Sequence, residues 1–286
     1  MKKSLILIVL LLLPYLNLEA GEQTLYKMPG TEVVPIKSSV NGGQYELYIK
    51  LPEKYSENPD KKYPVIYFTD AVWHIELLSA TTAFMMEEVI LVGVSWQKDM
   101  DKALMKERGA HVSRYRDYSA YPHKKPKIQA KYNFGQANHH LAFIREDVFK
   151  YVESRFRTQP DNRSYFGYSM GGEFGAYVLL AQANTFKNYI LGSPSFGKDV
   201  PFYARLISKL STQGKSLNAN VFVAYGTQEK ESGKYIDEFM TLLKNTKDES
   251  LSLKHELIEG DHGSAFPMTG VRSIAWLKSL QTGDKK

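Results

Sequence analysis

Short apolar runs recur along the chain, parted by polar turns. Thr31 to Val40 and Tyr45 to Leu51 flank Asn41-Gly42-Gly43, a turn signal, and predict a β-hairpin. Further strands are predicted at Tyr63 to Phe68, Val89 to Ser95, Ser164 to Phe166, Tyr189 to Ser193, Val221 to Tyr225 and Leu253 to Ile258. Helical spacing lies between the later runs. It is clearest over 141–156, where Leu141, Ile144, Val148, Tyr151, Val152 and Phe156 share one face and Arg145, Glu146 and Glu153 point elsewhere. A hairpin followed by alternating strand and helix predicts an α/β protein. Its sheet should be mostly parallel, of about eight strands, with helices on both faces. Residues 97–133 break the rhythm with Tyr115, Tyr118, Tyr121, Tyr132, many lysines and little periodicity. They are expected to form an insertion over the sheet edge, near a site.

The ends and the charge narrow the class. Lys2 and Lys3 precede the unbroken apolar run Leu5 to Leu13, Pro14 ends it, and Ala20 offers a small residue for cleavage. That run is too short to span a bilayer comfortably, so 1–20 reads as a secretory signal and 21–286 as one domain. No stable membrane anchor is expected after its removal. Cysteine is absent, which excludes a lipidated cysteine, a disulfide, a thiol nucleophile and a cysteine-held metal. An exported protein without disulfides suits a bacterial periplasm, or secretion. The net charge of +6 is mild, and the basic residues are scattered apart from His123 to Lys127. No nucleic-acid surface is expected from that distribution.

Candidate chemistry centres on Gly167-Tyr168-Ser169-Met170-Gly171, the nucleophile-elbow pattern Gly-x-Ser-x-Gly. A strand-like run precedes it, and the buried-looking Phe174 to Ala181 follows. Side chains at 167 or 171 would collide with the neighbouring strand or helix as the turn tightens. A serine hydroxyl needs a base, and an elbow serine finds its acid and histidine later in the chain. Of seven histidines, only His255 and His262 lie beyond the strand Val221 to Tyr225. His255 falls inside the next strand, whereas His262 follows it in a Gly-flanked loop and is the expected base. The acid should follow Tyr225. Glu229 is nearest the strand end, with Glu231 and Asp261 as alternatives, or no acid at all. Oxyanion donors are expected from the N–H of Met170 and from the loop after Phe68, at Val72 or Trp73. Trp73 and Tyr168 are expected to meet substrate on the pocket wall. This chemistry calls for no metal and no cofactor.

Further stretches carry a wider match: Tyr63 to Asp70, Arg116-Asp117-Tyr118-Ser119, the 141–158 segment ending Arg155-Phe-Arg-Thr158, Ser193-Pro194-Ser195 and Gly260-Asp-His262-Gly. With the elbow they resemble the secreted, esterase-D-like branch of the α/β-hydrolases, which includes acyl esterases and enterobactin-type siderophore esterases. The resemblance runs from about residue 31 to 278. It implies an α/β-hydrolase fold with Ser169 as nucleophile, His262 as base, an acid at Glu229 and an oxyanion loop near Asp70 to Trp73. Two positions depart from the pattern: Tyr168 stands where that branch often has His, and Ala71 where it often has Gly. The expected activity is exported serine hydrolysis of small-molecule carboxylic esters. The alternatives are a siderophore trilactone esterase, acyl transfer to an alcohol, and a non-catalytic ligand-binding protein on the same scaffold. Lys124, Lys125, Lys127 and Arg114 could meet an anionic catecholate.

Overall fold

A computed structural model describes residues 27–283, and the signal read at 1–20 lies outside them. Eight strands form one sheet: β1 (Thr31–Lys37), β2 (Gln44–Lys50), β3 (Tyr63–Phe68), β4 (Ile90–Val94), β5 (Thr158–Tyr168), β6 (Asn188–Gly192), β7 (Asn220–Gly226) and β8 (Ser252–Ile258). Their order is β1-β2-β4-β3-β5-β6-β7-β8. Only β1–β2 and β2–β4 pair antiparallel; the other pairs are parallel.

Both faces of the central strands are covered, which is why those strands are continuous apolar runs rather than alternating ones. Ile66, Phe68, Leu91, Phe166, Ile190 and Phe222 pack with Ile75 and Leu78 of the Ala71–Met85 helix and Ile274 and Leu277 of the Ala265–Thr282 helix. Val65, Tyr67, Val92, Tyr165, Leu191 and Val223 share the opposite core. Their partners there include Leu141, Val148, Phe174, Tyr203, Ile236 and Phe239. Among the described residues, no helix is long and apolar enough to cross a membrane.

Two local readings change. The 141–156 stripe belongs to a helical segment that runs Ala137–Phe143, widens to a π-turn at Ile144–Val148 and resumes at Phe149–Arg155. Ile144, Val148 and Val152 are four apart and all buried, a spacing that a wider turn accommodates. Residues 97–133, which showed no period, contain helices at Lys102–Arg108, Arg114–Asp117 and Pro126–Tyr132. The first and third bury no residue, so they leave no apolar stripe to detect. Tyr115, Tyr132 and Phe134 pack ring on ring between them, while Tyr118 is buried against the main body.

Candidate active site

Parallel strands deliver their C-terminal ends to one edge of the sheet, and loops leaving that edge share a crevice. There β3 gives way to Asp70–Trp73, β5 to Ser169, β6 to Ser193–Ser195, β7 to Glu229 and β8 to His262.

Ser169 adopts φ 58°, ψ −121°, in a region that a side-chain-bearing residue rarely enters. Neighbouring backbone holds it there: its N–H donates to the Gly192 carbonyl (2.9 Å), and its carbonyl accepts from the N–H groups of Glu173 (3.0 Å) and Ser195 (3.3 Å). The glycines permit the turn. A Cβ on Gly167 would sit 2.3 Å from the Gly171 carbonyl oxygen, and one on Gly171 would sit 2.4 Å from Thr69 Oγ1. Met170 opens the Met170–Ala181 helix, so its N–H has no intrahelical acceptor.

His262 Nδ1 lies 2.7 Å from Glu229 Oε2. A carboxylate only accepts, so Nδ1 carries the proton and Nε2 is left bare. Oε1 of Glu229 accepts from Ser193 Oγ (2.7 Å) and from the Gly226 N–H (2.8 Å). Burial raises the Glu229 pKa, but the bonds from His262, Gly226 and Ser193 outweigh it and hold the carboxyl below its ordinary value. The two loops are stitched together by Thr227 N–H to Ile258 O (2.8 Å) and Gln228 N–H to Gly260 O (2.9 Å). A Cβ on Gly226 would lie 2.5 Å from the Gly260 carbonyl oxygen, so only glycine lets the backbones meet there. Tyr168 Oη donates to the His262 carbonyl (2.7 Å) and packs its ring beside the imidazole. Glu231 is exposed in the next helix, and Asp261 Oδ1 is occupied by its own loop, at Gly263 N–H and Ser264. Neither touches the imidazole. His255 lies in β8, beside Tyr225 and Asp237.

The loop after β3 is clamped. Asp70 has φ 56° and is fully buried. Its carboxylate accepts from Trp96 Nε1 (2.6 Å) and forms a two-pronged ion pair with Arg114 through Nε (2.8 Å) and Nη2 (3.1 Å). Arg114 also lies over the rings of Trp73 and Tyr118. The Trp73 N–H donates to the Asp70 carbonyl (2.9 Å). Val72, second residue of its helix, has no carbonyl four residues back inside that helix to receive its N–H. Of the two loop amides considered, Val72 is therefore the less engaged.

Ser169, His262, Trp73, Tyr168 and Arg114 line one open cavity of about 310 Å³, together with His74, Gly263 and Phe266. Larger surface cavities of about 500 and 590 Å³ lie around Ile207–Leu217 and Tyr177–Gln213 but hold none of these groups, so chemistry rather than size picks the site. His74 was not singled out from sequence. Burial pushes its pKa down to about 4, with Asp70 opposing and Arg114 adding, so the imidazole is neutral. Among the described residues, its buried Nδ1 finds no hydrogen-bond partner. Ser193 was visible only as part of a matching stretch, because its bond to Glu229 joins segments 36 residues apart.

Comparison with known proteins agrees with this architecture. A family model described as "Putative esterase" matches residues 38–263. Ferri-bacillibactin esterase BesA of Bacillus subtilis (strain 168) is 27% identical over 225 residues, covering 73% of this chain and 74% of that protein. Two solved structures share the fold. The BES protein from Bacillus cereus superposes with a TM-score of 0.76 at 22% identity, over 90% of this chain and 97% of its own. An IroE-like serine hydrolase from Shewanella oneidensis gives 0.71 at 20% identity, over 87% and 79%.

Proposed function

Because this chain belongs to the esterase family matched over residues 38–263, and is an esterase of α/β-hydrolase fold, we propose that it works through an acyl-enzyme on Ser169. The observation that carries the proposal is the 2.7 Å bond from His262 Nδ1–H to Glu229 Oε2, beside the cavity that Ser169 also lines. Glu229 fixes the imidazole tautomer. Nε2 takes the Ser169 proton as Oγ attacks the ester carbonyl. The N–H groups of Met170 and Val72 receive the oxyanion at two helix N-termini. His262 then protonates the departing alcohol, and water activated by the same nitrogen releases the acid.

The substrate we propose is a siderophore with ester linkages. BesA is by name a ferri-bacillibactin esterase, and here the half-exposed Trp73, backed by the Asp70-paired Arg114, offers the cavity a flat ring suited to stacking a catechol. Residues 1–20 act as an export signal in this proposal, leaving 21–286 as one periplasmic or secreted domain whose 97–133 segment roofs the cavity.

A fluorophosphonate probe is expected to label the protein, and Ser169→Ala to abolish labelling; a mutant labelled as well as wild type removes the mechanism. Hydrolysis of a catecholate trilactone should exceed that of short p-nitrophenyl esters in kcat/KM. Turnover of the simple esters alone would remove the siderophore assignment and leave a general esterase.

A further inference from the structure

The turn after β6 touches two members of the proposed machinery at once. Ser193, with φ 37°, hydrogen-bonds Glu229 on one side of Pro194. On the other side, Ser195 Oγ lies 3.1 Å from Ser169 Oγ, and the Ser195 N–H donates to the Ser169 carbonyl. Among the described residues, the side-chain hydrogen bond of Ser169 runs to Ser195, and none joins it to His262. Whichever hydroxyl donates, Oγ is turned toward the β6 loop. Ser195 is exposed, and the 3.1 Å contact commits the Ser169 hydroxyl to the β6 loop rather than to the imidazole.

On the premise that Ser169 is the nucleophile, we propose that Ser195 is a positioning residue that parks the Ser169 hydroxyl off the imidazole until substrate turns it. Attack then begins by exchanging the Ser195 bond for one to His262 Nε2. The parked state exists only while Oγ is free. In the acyl-enzyme, Oγ is already bonded to the acyl carbon and needs no proton removed, so a Ser195 bond no longer competes with one to His262. Parking therefore slows acylation and leaves deacylation untouched. Ser193 differs, because it acts through Glu229 and His262, which serve both half-reactions.

The test uses Ser195→Ala, Ser195→Thr and Ser193→Ala with a fluorophosphonate and with p-nitrophenyl acetate burst kinetics. Ser195→Ala is expected to be phosphonylated about two- to tenfold faster, the population factor one neutral hydrogen bond confers. Its burst rate should rise alike, with the steady deacylation rate unchanged. Ser195→Thr keeps a hydroxyl and should restore the slower rate, while Ser193→Ala should slow both phases. Unchanged or slower labelling of Ser195→Ala overturns the parking role, as does an equal change in deacylation. Labelling that persists in Ser169→Ala overturns instead the premise that Ser169 is the nucleophile.

Discussion

Two buried glutamates flank the elbow, and their surroundings pull them apart. Glu229, at the β7 edge, is met by the imidazole Nδ1–H, a backbone N–H and the Ser193 hydroxyl, and these hold it below its ordinary pKa. Among the described residues, Glu173, in the first turn of the elbow helix, receives only the phenols of Tyr121 and Tyr203, each 3.1 Å from the same oxygen, Oε1. Burial dominates there, Asp199 adds a like charge, and the carboxyl is pushed up to about 7. Both groups are desolvated. What separates them is the deeper burial of Glu173 together with the donor set, since an imidazole and a peptide N–H stabilise a carboxylate more fully than two phenols can. Glu173 stands four residues from Ser169, but Glu229 is the one that faces the imidazole, and the proposed mechanism therefore takes Glu229 as the acid.

The largest expected effect tests that contrast directly. Glu229→Gln should lower kcat on the order of 10²- to 10⁴-fold with the fold intact by circular dichroism, whereas Glu173→Gln should stay within about tenfold of wild type. Comparable losses in the two variants would break the distinction.

Stability against pH should separate them next. The Glu173 pKa is raised by folding, so its stabilising contribution is complete below about 4.5 and is lost as pH climbs through about 7. That loss is on the order of 3 kcal/mol for an isolated group. Urea titrations should show wild type losing stability between pH 5 and 8 relative to Glu173→Gln; a gap that ignores pH refutes the assignment. Glu229, whose pKa is lowered, contributes above the unfolded value and loses that contribution as pH falls through the folded one.

A smaller effect sharpens the picture on the Glu173 side. Tyr121→Phe removes a donor to the carboxylate, so the Glu173 titration seen by ¹³C NMR should move further up, with a stability loss of about 1 kcal/mol. A downward move would mean that the phenol does not stabilise the charge. Smallest of all, Lys124→Ala breaks only an exposed pairing with Asp199 and should change stability by less than about 0.5 kcal/mol in thermal melts.

Most strands were legible because five consecutive positions in β4 or β6 are buried, so the run of apolar letters mirrors the burial. The order Ser169, Glu229, His262 could be read because each residue follows a strand, and parallel strands end on one side. Glu173 could not be assigned, because its partners Tyr121 and Tyr203 come from segments 52 and 30 residues away. Asp70 was unassigned for the same reason: its clamp reaches to Trp96 and Arg114, across 26 and 44 residues. Such contacts join segments whose relative placement no local period encodes. Within 97–133, the helices Lys102–Arg108 and Pro126–Tyr132 escaped for the opposite reason, having no buried face to leave a period, and Arg114–Asp117 is a single turn.

The Asp70 clamp carries a lesson for redesign. Residues 97–133 look like an exchangeable module, the kind of surface segment that engineers swap between relatives to alter substrate range. Yet Arg114 within it, and Trp96 just before it, bind the buried carboxylate of the residue that opens the Val72 loop. Under the proposed mechanism, selectivity and rate are thus not separable cassettes. A transplanted segment lacking an arginine at that point would leave an unmatched charge beneath the loop, so a graft meant to retune selectivity would also lower turnover.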